Sequence, residues 1–452
     1  MVNPCFVLNL ATFLTSLGTD NNLVGFDPRG VRNSGPNLSC FPNGELGTSR
    51  FYHDIDAPID YSDEKSYARA FERAAAFGDF CTKAHSAPND TAKYANTVAT
   101  VNDMRHYTEL LAESKGQEPG KSKLWYYGLS YGTVLGTTFA SLFPSRVLSP
   151  NFFPVGRIAV DGVVDAEDYY QGKWIANVAE SDESFRYFFQ VCYAAGEGGN
   201  CSFWADSPAA IEARFEAIVN DIEIRPIPVA IDTPAIVTAS DLKAYSLQIP
   251  YSPLESFPTF ADMLVELEQR NGTSLAYLLQ IGRRFHDDCE AAMPEWYEDV
   301  EPRQFIACID ANDRYNLSTF DAWVQHTDTV VNMTRYFGEA WAPATSINCR
   351  KLNIKAPTSQ VFEGYPSASK TSNPLFFLST ILDPVTPLRS AEKMTKRFGG
   401  ASLLIQNSVG HTTIVSASEC TSGYLRNYFD DGSLPEYGTH CEADQVPFGI
   451  RK

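Results

Sequence analysis

The chain has 452 residues, of which 44% are hydrophobic and 20% charged, enough to bury a large core and too apolar for wholesale disorder. Against 36 basic residues stand 55 acidic ones, and a formal charge of −19 repels nucleic-acid phosphates and anionic lipid. No run approaches the roughly 18 consecutive apolar residues of a membrane span, so neither nucleic acid nor membrane is expected as a partner.

Residues 1–19 contain no Lys or Arg, and Phe6, Leu10, Phe13, Leu14 and Leu17 recur at helical spacing. That stretch reads as an amphipathic helix of a folded domain rather than a signal peptide. The apolar run 22–26, followed by Asp27-Pro28-Arg29-Gly30, reads as a strand and a turn, and 36–62, rich in Pro, Gly and Asn, as a loop. Helical periodicity covers 67–83 and 97–114. A strand is predicted at 123–127, a helix at 131–143 that stops at Pro144, and another strand at 157–164. From 165 to 341 the pattern turns long and helical, with many aromatics, scattered prolines and no clear strand. Alternation returns with a strand at 374–380, a helix near 389–398 and a strand at 402–406.

Strand–helix alternation interrupted by a helical block predicts an α/β fold, a mostly parallel sheet flanked by helices with an inserted helical cap. Residues 1–164 and 342–452 are then the two parts of the core, and 165–341 the cap.

Ten cysteines, at 5, 40, 81, 192, 201, 289, 308, 349, 420 and 441, form no CxxC pair. A zinc knuckle or a thioredoxin-type site is therefore not expected. Their even number and wide dispersal suit disulfides in an oxidising compartment. Six N-x-S/T sequons, at Asn37, Asn89, Asn200, Asn271, Asn316 and Asn332, point to a secreted glycoprotein.

The most informative residues are Gly128-Leu129-Ser130-Tyr131-Gly132, set between a predicted strand and a helix of small residues. A sharp turn there pushes the Ser130 hydroxyl into the open, and flanking glycines let neighbouring backbone pass. The following helix N-terminus offers free N–H groups, first that of Tyr131, where an oxyanion forms. A serine nucleophile needs a base, and the base an orienting carboxylate. Of the histidines at 53, 85, 106, 286, 326, 411 and 440, only His411 closely follows a predicted strand, where sites in parallel sheets gather. Asp383, just past a strand and stiffened by Pro384 and Pro387, is the expected acid, with Asp161 the runner-up. The order Ser130, Asp383, His411 is that of α/β-hydrolases.

Taken together, VGFDPRGV, YYGLSYGTVLG, RIAVDGVVD, LDPVTP, SVGH and YLRNYFDDGSLPEYGTHC resemble the tripeptidyl-aminopeptidase-like branch of the prolyl-aminopeptidase family, from about Phe6 to Phe448. The resemblance implies an α/β-hydrolase core, a helical cap, a secreted location and release of short peptides from peptide N-termini. It also implies Cys420–Cys441 and Cys192–Cys201 bridges. Family members carry a long region ahead of the FDPRG segment, with a signal peptide, the first strands and a Gly-Gly-Pro-Gly-type oxyanion loop. The chain as given begins after that loop, so it is expected to be a fragment offering the Tyr131 N–H without the second oxyanion donor.

An aminopeptidase also needs a carboxylate for the substrate ammonium, with Asp182, Glu183, Asp287, Asp288 and Glu290 as candidates. The same triad serves an esterase, and Phe185, Tyr187, Phe188, Phe189 and Tyr193 would line an apolar pocket if they are not simply core. A non-catalytic protein on the hydrolase scaffold is the third reading. None of the three requires a metal or an organic cofactor.

Overall fold

The computed structural model describes Phe13 and residues 16–18, 22–41, 59–60, 63–144, 155–231, 234–282 and 300–449. In chain order its strands are β1 (Leu124–Leu129), β2 (Val155–Asp161), β3 (Ile227–Ala230), β4 (Pro234–Val237), β5 (Phe376–Leu382), β6 (Ser402–Val409) and β7 (Thr439–Glu442). Five of them form one sheet, ordered β1-β2-β5-β6-β7, with every neighbouring pair parallel. Alternate side chains enter opposite layers, as the pleat requires. Ile158, Val160, Phe377, Leu403 and Ile405 pack on one face, while Ala159, Phe376, Leu378 and Leu404 pack on the other.

Helices cover both faces. They are α1 (Glu64–Ala84), α2 (Thr97–Ser114), α3 (Tyr131–Leu142), α4 (Ala166–Gln171), α5 (Ser181–Ala194), α6 (Pro208–Ile224), α7 (Ala239–Ser246), α8 (Pro253–Glu268), α9 (Thr273–Gly282), α10 (Val300–Ala311), α11 (Phe320–Met333), α12 (Gly338–Trp341), α13 (Leu388–Thr395) and α14 (Glu419–Asp430). Apolar residues of α2, α3, α4 and α13 fill the first layer, and Leu425, Tyr428 and Phe429 of α14 fill the second.

Among the described residues between β2 and β5, helices α4 to α12 are the main elements, with the short β3–β4 hairpin between α6 and α7. Phe185, Phe188, Phe189, Phe215, Phe257 and Phe260 of this block form an aromatic core of their own. Tyr187 is half-buried and Tyr193 exposed. The run 22–26 is not a strand: Val24 and Phe26 are 61% and 42% exposed, and no ladder among the described residues receives it. An apolar run becomes a strand only where a neighbour takes its N–H and C=O groups. The β3–β4 hairpin, by contrast, is antiparallel structure that helical patterning did not reveal. Most of the expected N-terminal helix and of the loop 36–62 lies outside the described residues, although Phe13, Ser16 and Leu17 are helical.

Four disulfides close the fold: Cys192–Cys201 and Cys420–Cys441, with Cys40–Cys81 and Cys308–Cys349 besides. Cys5 and Cys289 lie outside the described residues. The Cys308–Cys349 bridge fastens α10, beneath which Phe77, Cys81, Phe305 and Leu352 pack together. Its partners are 41 residues apart, which sets the unfolded-chain entropy it removes. Replacing both cysteines by serine is expected to lower the unfolding free energy by about 2–4 kcal/mol in a urea titration. An unchanged midpoint would refute that role.

Candidate active site

Parallel strands bring their C-terminal ends to one edge of the sheet. The register pairs Leu129 with Asp161, Asp161 with Leu378, and Leu382 with Val409. Ser130, Asp161, Asp383 and His411 therefore all sit at that edge, on the residues that end or directly follow β1, β2, β5 and β6.

Ser130 lies between β1 and α3 with φ 53° and ψ −122°, a conformation few non-glycine residues adopt. Such strain persists only when its surroundings over-determine it. The Ser130 amide donates to the Asp161 carbonyl (3.0 Å), and the Ser130 carbonyl accepts from Thr133 N (2.8 Å) and Thr133 Oγ1 (2.6 Å). Two residues on, the Tyr126 hydroxyl donates to the Gly132 carbonyl at 2.9 Å. The turn is tight enough to demand glycine at 128. A Cβ there would stand 2.4 Å from Tyr126 Cε1 and 2.5 Å from the Gly132 oxygen. Gly128→Ala is accordingly expected to destabilise the fold by about 1–3 kcal/mol in urea unfolding, since backbone cannot yield as a side chain does. A variant as stable as the parent would show the elbow to be looser than its geometry.

Asp383 is fully buried at the end of β5. Its Oδ1 accepts from Val385 N (3.0 Å) and Thr386 N (2.8 Å), and its Oδ2 from Thr412 N (2.9 Å). Both oxygens stand 3.0 Å from His411 Nδ1, and the Thr386 hydroxyl lies 3.2 Å from the same nitrogen. Burial alone would push the Asp383 carboxyl up, but His411 and the backbone donors outweigh it and hold the carboxyl below its ordinary value. Burial would likewise push His411 down, yet the Asp383 charge and hydrogen bond, with Asp161 further off, raise it above 6.5. Gly162, φ +64°, lets the end of β2 pass this loop; a Cβ there would meet Thr412 Cγ2 at 2.6 Å.

The runner-up acid does not touch His411. Asp161 accepts from Tyr127 OH (2.8 Å), Thr413 N (3.0 Å) and Thr413 Oγ1 (2.6 Å). It fastens the histidine loop two residues beyond His411. Burial raises its carboxyl, and the Thr413 and Tyr127 hydrogen bonds draw it back down.

The helical block reaches the site at the turn Ile249–Tyr251. There the His411 amide donates to the Tyr251 carbonyl (3.0 Å), and the two rings meet edge to face at 5.1 Å. Ser130 and His411 share no hydrogen bond, a contact that in hydrolases often tightens only around the substrate. The imidazole remains 14% exposed, so its free side is accessible.

The other histidines have structural surroundings or lie outside the described residues. His85 pairs with Asp90, and His106 lies near Glu109. His326 packs between Tyr315 and Trp323, and His440 bonds Asn407. His53 and His286 lie outside the described residues. Of the candidate ammonium receptors, Asp182 accepts hydrogen bonds from Thr334 Oγ1, Arg335 N and Tyr336 N. Glu183 is exposed, and Asp287, Asp288 and Glu290 lie outside the described residues. Phe185, Phe188 and Phe189 are core rather than pocket lining. Sequence patterning did not single out Thr386, Tyr251 or the tyrosines behind the elbow. Thr386, three residues past the acid, was the nearest to a readable signal.

Similarity to known proteins agrees with the fold. The profile of the family described as TAP-like protein matches residues 334–441, which include Asp383 and His411. The chain is 25% identical to the serine protease Hip1 of Mycobacterium tuberculosis over 431 residues, 93% of this chain and 74% of that one. It is 24% identical to a tripeptidyl aminopeptidase of Streptomyces lividans over 455 residues, covering 98% and 74%. A carboxylesterase B of Mycobacterium tuberculosis is 23% identical over 426 residues, covering 93% and 73%. With a parallel sheet, a strained serine turn after its first described strand and these relatives, the chain is a serine hydrolase with an α/β-hydrolase fold, similar to TAP-like proteins over residues 334–441.

Proposed function

We propose that this protein is a serine exopeptidase that releases short peptides from free N-termini through an acyl-enzyme on Ser130. The observation that carries the reading is the His411–Asp383 pair, joined at 3.0 Å at the sheet edge where Ser130 is held in its strained turn. His411 takes the Ser130 proton through Nε2 as Oγ attacks the scissile carbonyl. Asp383 keeps the imidazole in the tautomer that leaves Nε2 free and stabilises the imidazolium. The Tyr131 N–H, first in α3 and so without an intrahelical acceptor, donates to the oxyanion, helped by the helix dipole. His411 then protonates the leaving amine, and water hydrolyses the ester by the same relay.

The relatives named serine protease and tripeptidyl aminopeptidase support peptides as the substrate class. Four disulfides, and no membrane-spanning helix among the described residues, support work outside the cell. The relative named carboxylesterase B favours ester hydrolysis as the second reading, since both reactions share the tetrahedral intermediate.

Three chromogenic substrates separate the readings: a tripeptidyl p-nitroanilide, its N-acetylated counterpart and p-nitrophenyl butyrate. The exopeptidase is expected to cleave the free-amine anilide at least about tenfold faster in kcat/KM than the blocked one. Equal rates would overturn exopeptidase selectivity. Turnover of the ester alone would establish the esterase.

A further inference from the structure

Behind the elbow lies a buried carboxylate that the proposed mechanism does not use. Asp310, near the C-terminal end of α10, is 5% exposed. It accepts from Thr97 N (3.0 Å), Thr97 Oγ1 (2.5 Å) and Tyr169 OH (2.7 Å). The Thr97 hydroxyl lies 2.8 Å from the hydroxyl of Tyr131. Counting protons gives this chain a direction. A carboxylate only accepts, so Thr97 spends its one proton on Asp310, and Tyr131 must then donate to Thr97. Burial pushes the Asp310 carboxyl up to about 6, so at neutral pH it is the ionised acceptor that this order of donors requires.

We propose that Asp310 is a positioning residue for the oxyanion donor: through Thr97 it anchors the Tyr131 side chain, and with it the backbone N–H that follows Ser130. This rests on the reading of Ser130 as nucleophile and deepens it. The other bonds of the elbow hold the Ser130 amide and the Ser130 and Gly132 carbonyls. Besides the packing of its ring on Tyr169 at 5.9 Å, the Tyr131 hydroxyl gives the donor residue itself a directional link to a fixed support. An oxyanion donor must come within 2.7–3.1 Å of the developing charge, so small drifts of this residue cost rate rather than affinity. The support stands on α10, two residues from the Cys308–Cys349 bridge, and on the first residue of α2. Docking of the helical block and assembly of the oxyanion site are thereby one event.

Tyr131→Phe removes the link and leaves Asp310 with its other donors, so the fold is spared. Asp310→Asn is a harsher change. Its amide either faces the Thr97 N–H, donor against donor, or reverses the hydroxyl chain. The five proteins to compare are the parent, Ser130→Ala, Tyr131→Phe, Asp310→Asn and the double variant Tyr131→Phe with Asp310→Asn, all as full chains. The readouts are kcat and KM on the best chromogenic substrate of the panel, the rate of Ser130 acylation by a fluorophosphonate, and Tm.

Tyr131→Phe and Asp310→Asn are each expected to lower kcat and acylation by about tenfold to a hundredfold, KM staying within about twofold. The double variant should be no slower than Asp310→Asn alone, because both cut one chain of bonds. A general loss of packing would instead lower Tm and add in the double variant. A folded Tyr131→Phe with parental kcat overturns the proposal, even if Asp310→Asn fails to fold. Turnover that survives Ser130→Ala overturns the nucleophile reading, and this proposal with it.

Discussion

Ser130→Ala is expected to lower kcat by about 10⁴–10⁶-fold while the protein stays folded. In the proposed mechanism its Oγ is the one atom that forms and breaks the acyl bond, so no neighbour substitutes for it. What remains is the rate that binding and the oxyanion donor supply by themselves. The fold has little to lose, for the Ser130 hydroxyl makes no hydrogen bond among the described residues and the residue is only half-buried. Its backbone bonds to Asp161 and Thr133 do not depend on the side chain. Tm should therefore stay within a few degrees, a surface-scale change. The measurement is kcat on the best substrate of the panel, together with fluorophosphonate labelling and peptide mapping by mass spectrometry. Label on Ser130 in the parent and none in the variant is the expected pair of results. A variant within tenfold of the parent would move the nucleophile elsewhere.

Much of this was legible in the sequence because the signals are local. The helix predicted at 97–114 has those bounds in the structure, and the elbow helix, predicted at 131–143, is Tyr131–Leu142. Both carry their own instructions: Asn96 caps the first through the Ala99 amide, and Pro144 closely follows the end of the second. The run 22–26 has strand composition, but pairing is a property of the neighbour and not of the run. The β3–β4 hairpin escaped notice because its strands have four residues each and carry Pro228 and Pro234. Chain order does not separate Asp383 from Asp161, since both lie between Ser130 and His411 in sequence and both carboxylates are buried at the same sheet edge. What separates them is their partners, His411 for one and Thr413 for the other. The Thr97–Asp310 contact spans 213 positions, and no spacing rule reaches that far. Long-range polar contacts of this kind are set by how the helical block docks, which a one-dimensional pattern does not encode.

Asp383→Asn tests the electrostatics of the site rather than its covalent chemistry. In the proposed mechanism the active form has His411 neutral, and the Asp383 charge raises the imidazole above 6.5 despite burial. Activity should therefore rise with pH through that raised value, giving kcat/KM an acid limb above 6.5. Removing the charge leaves burial, which favours the neutral ring, opposed only by the more distant Asp161. The acid limb must then move to lower pH. At the plateau kcat should still fall by about 10⁴-fold, because the amide no longer enforces the tautomer that frees Nε2. Stability carries the same signature. With a raised His411, the parent has stability that is full below 6.5 and is lost as pH rises through the folded value. With a lowered Asp383, it has stability present above 3.8 that is lost as pH falls through the folded value. The variant should lose both slopes, leaving urea midpoints flatter across the neutral range and across the acid range. An acid limb that stays in place would mean that a group other than His411 governs the rate. A plateau kcat near the parent's would mean that Asp383 holds the loop and does not orient the base.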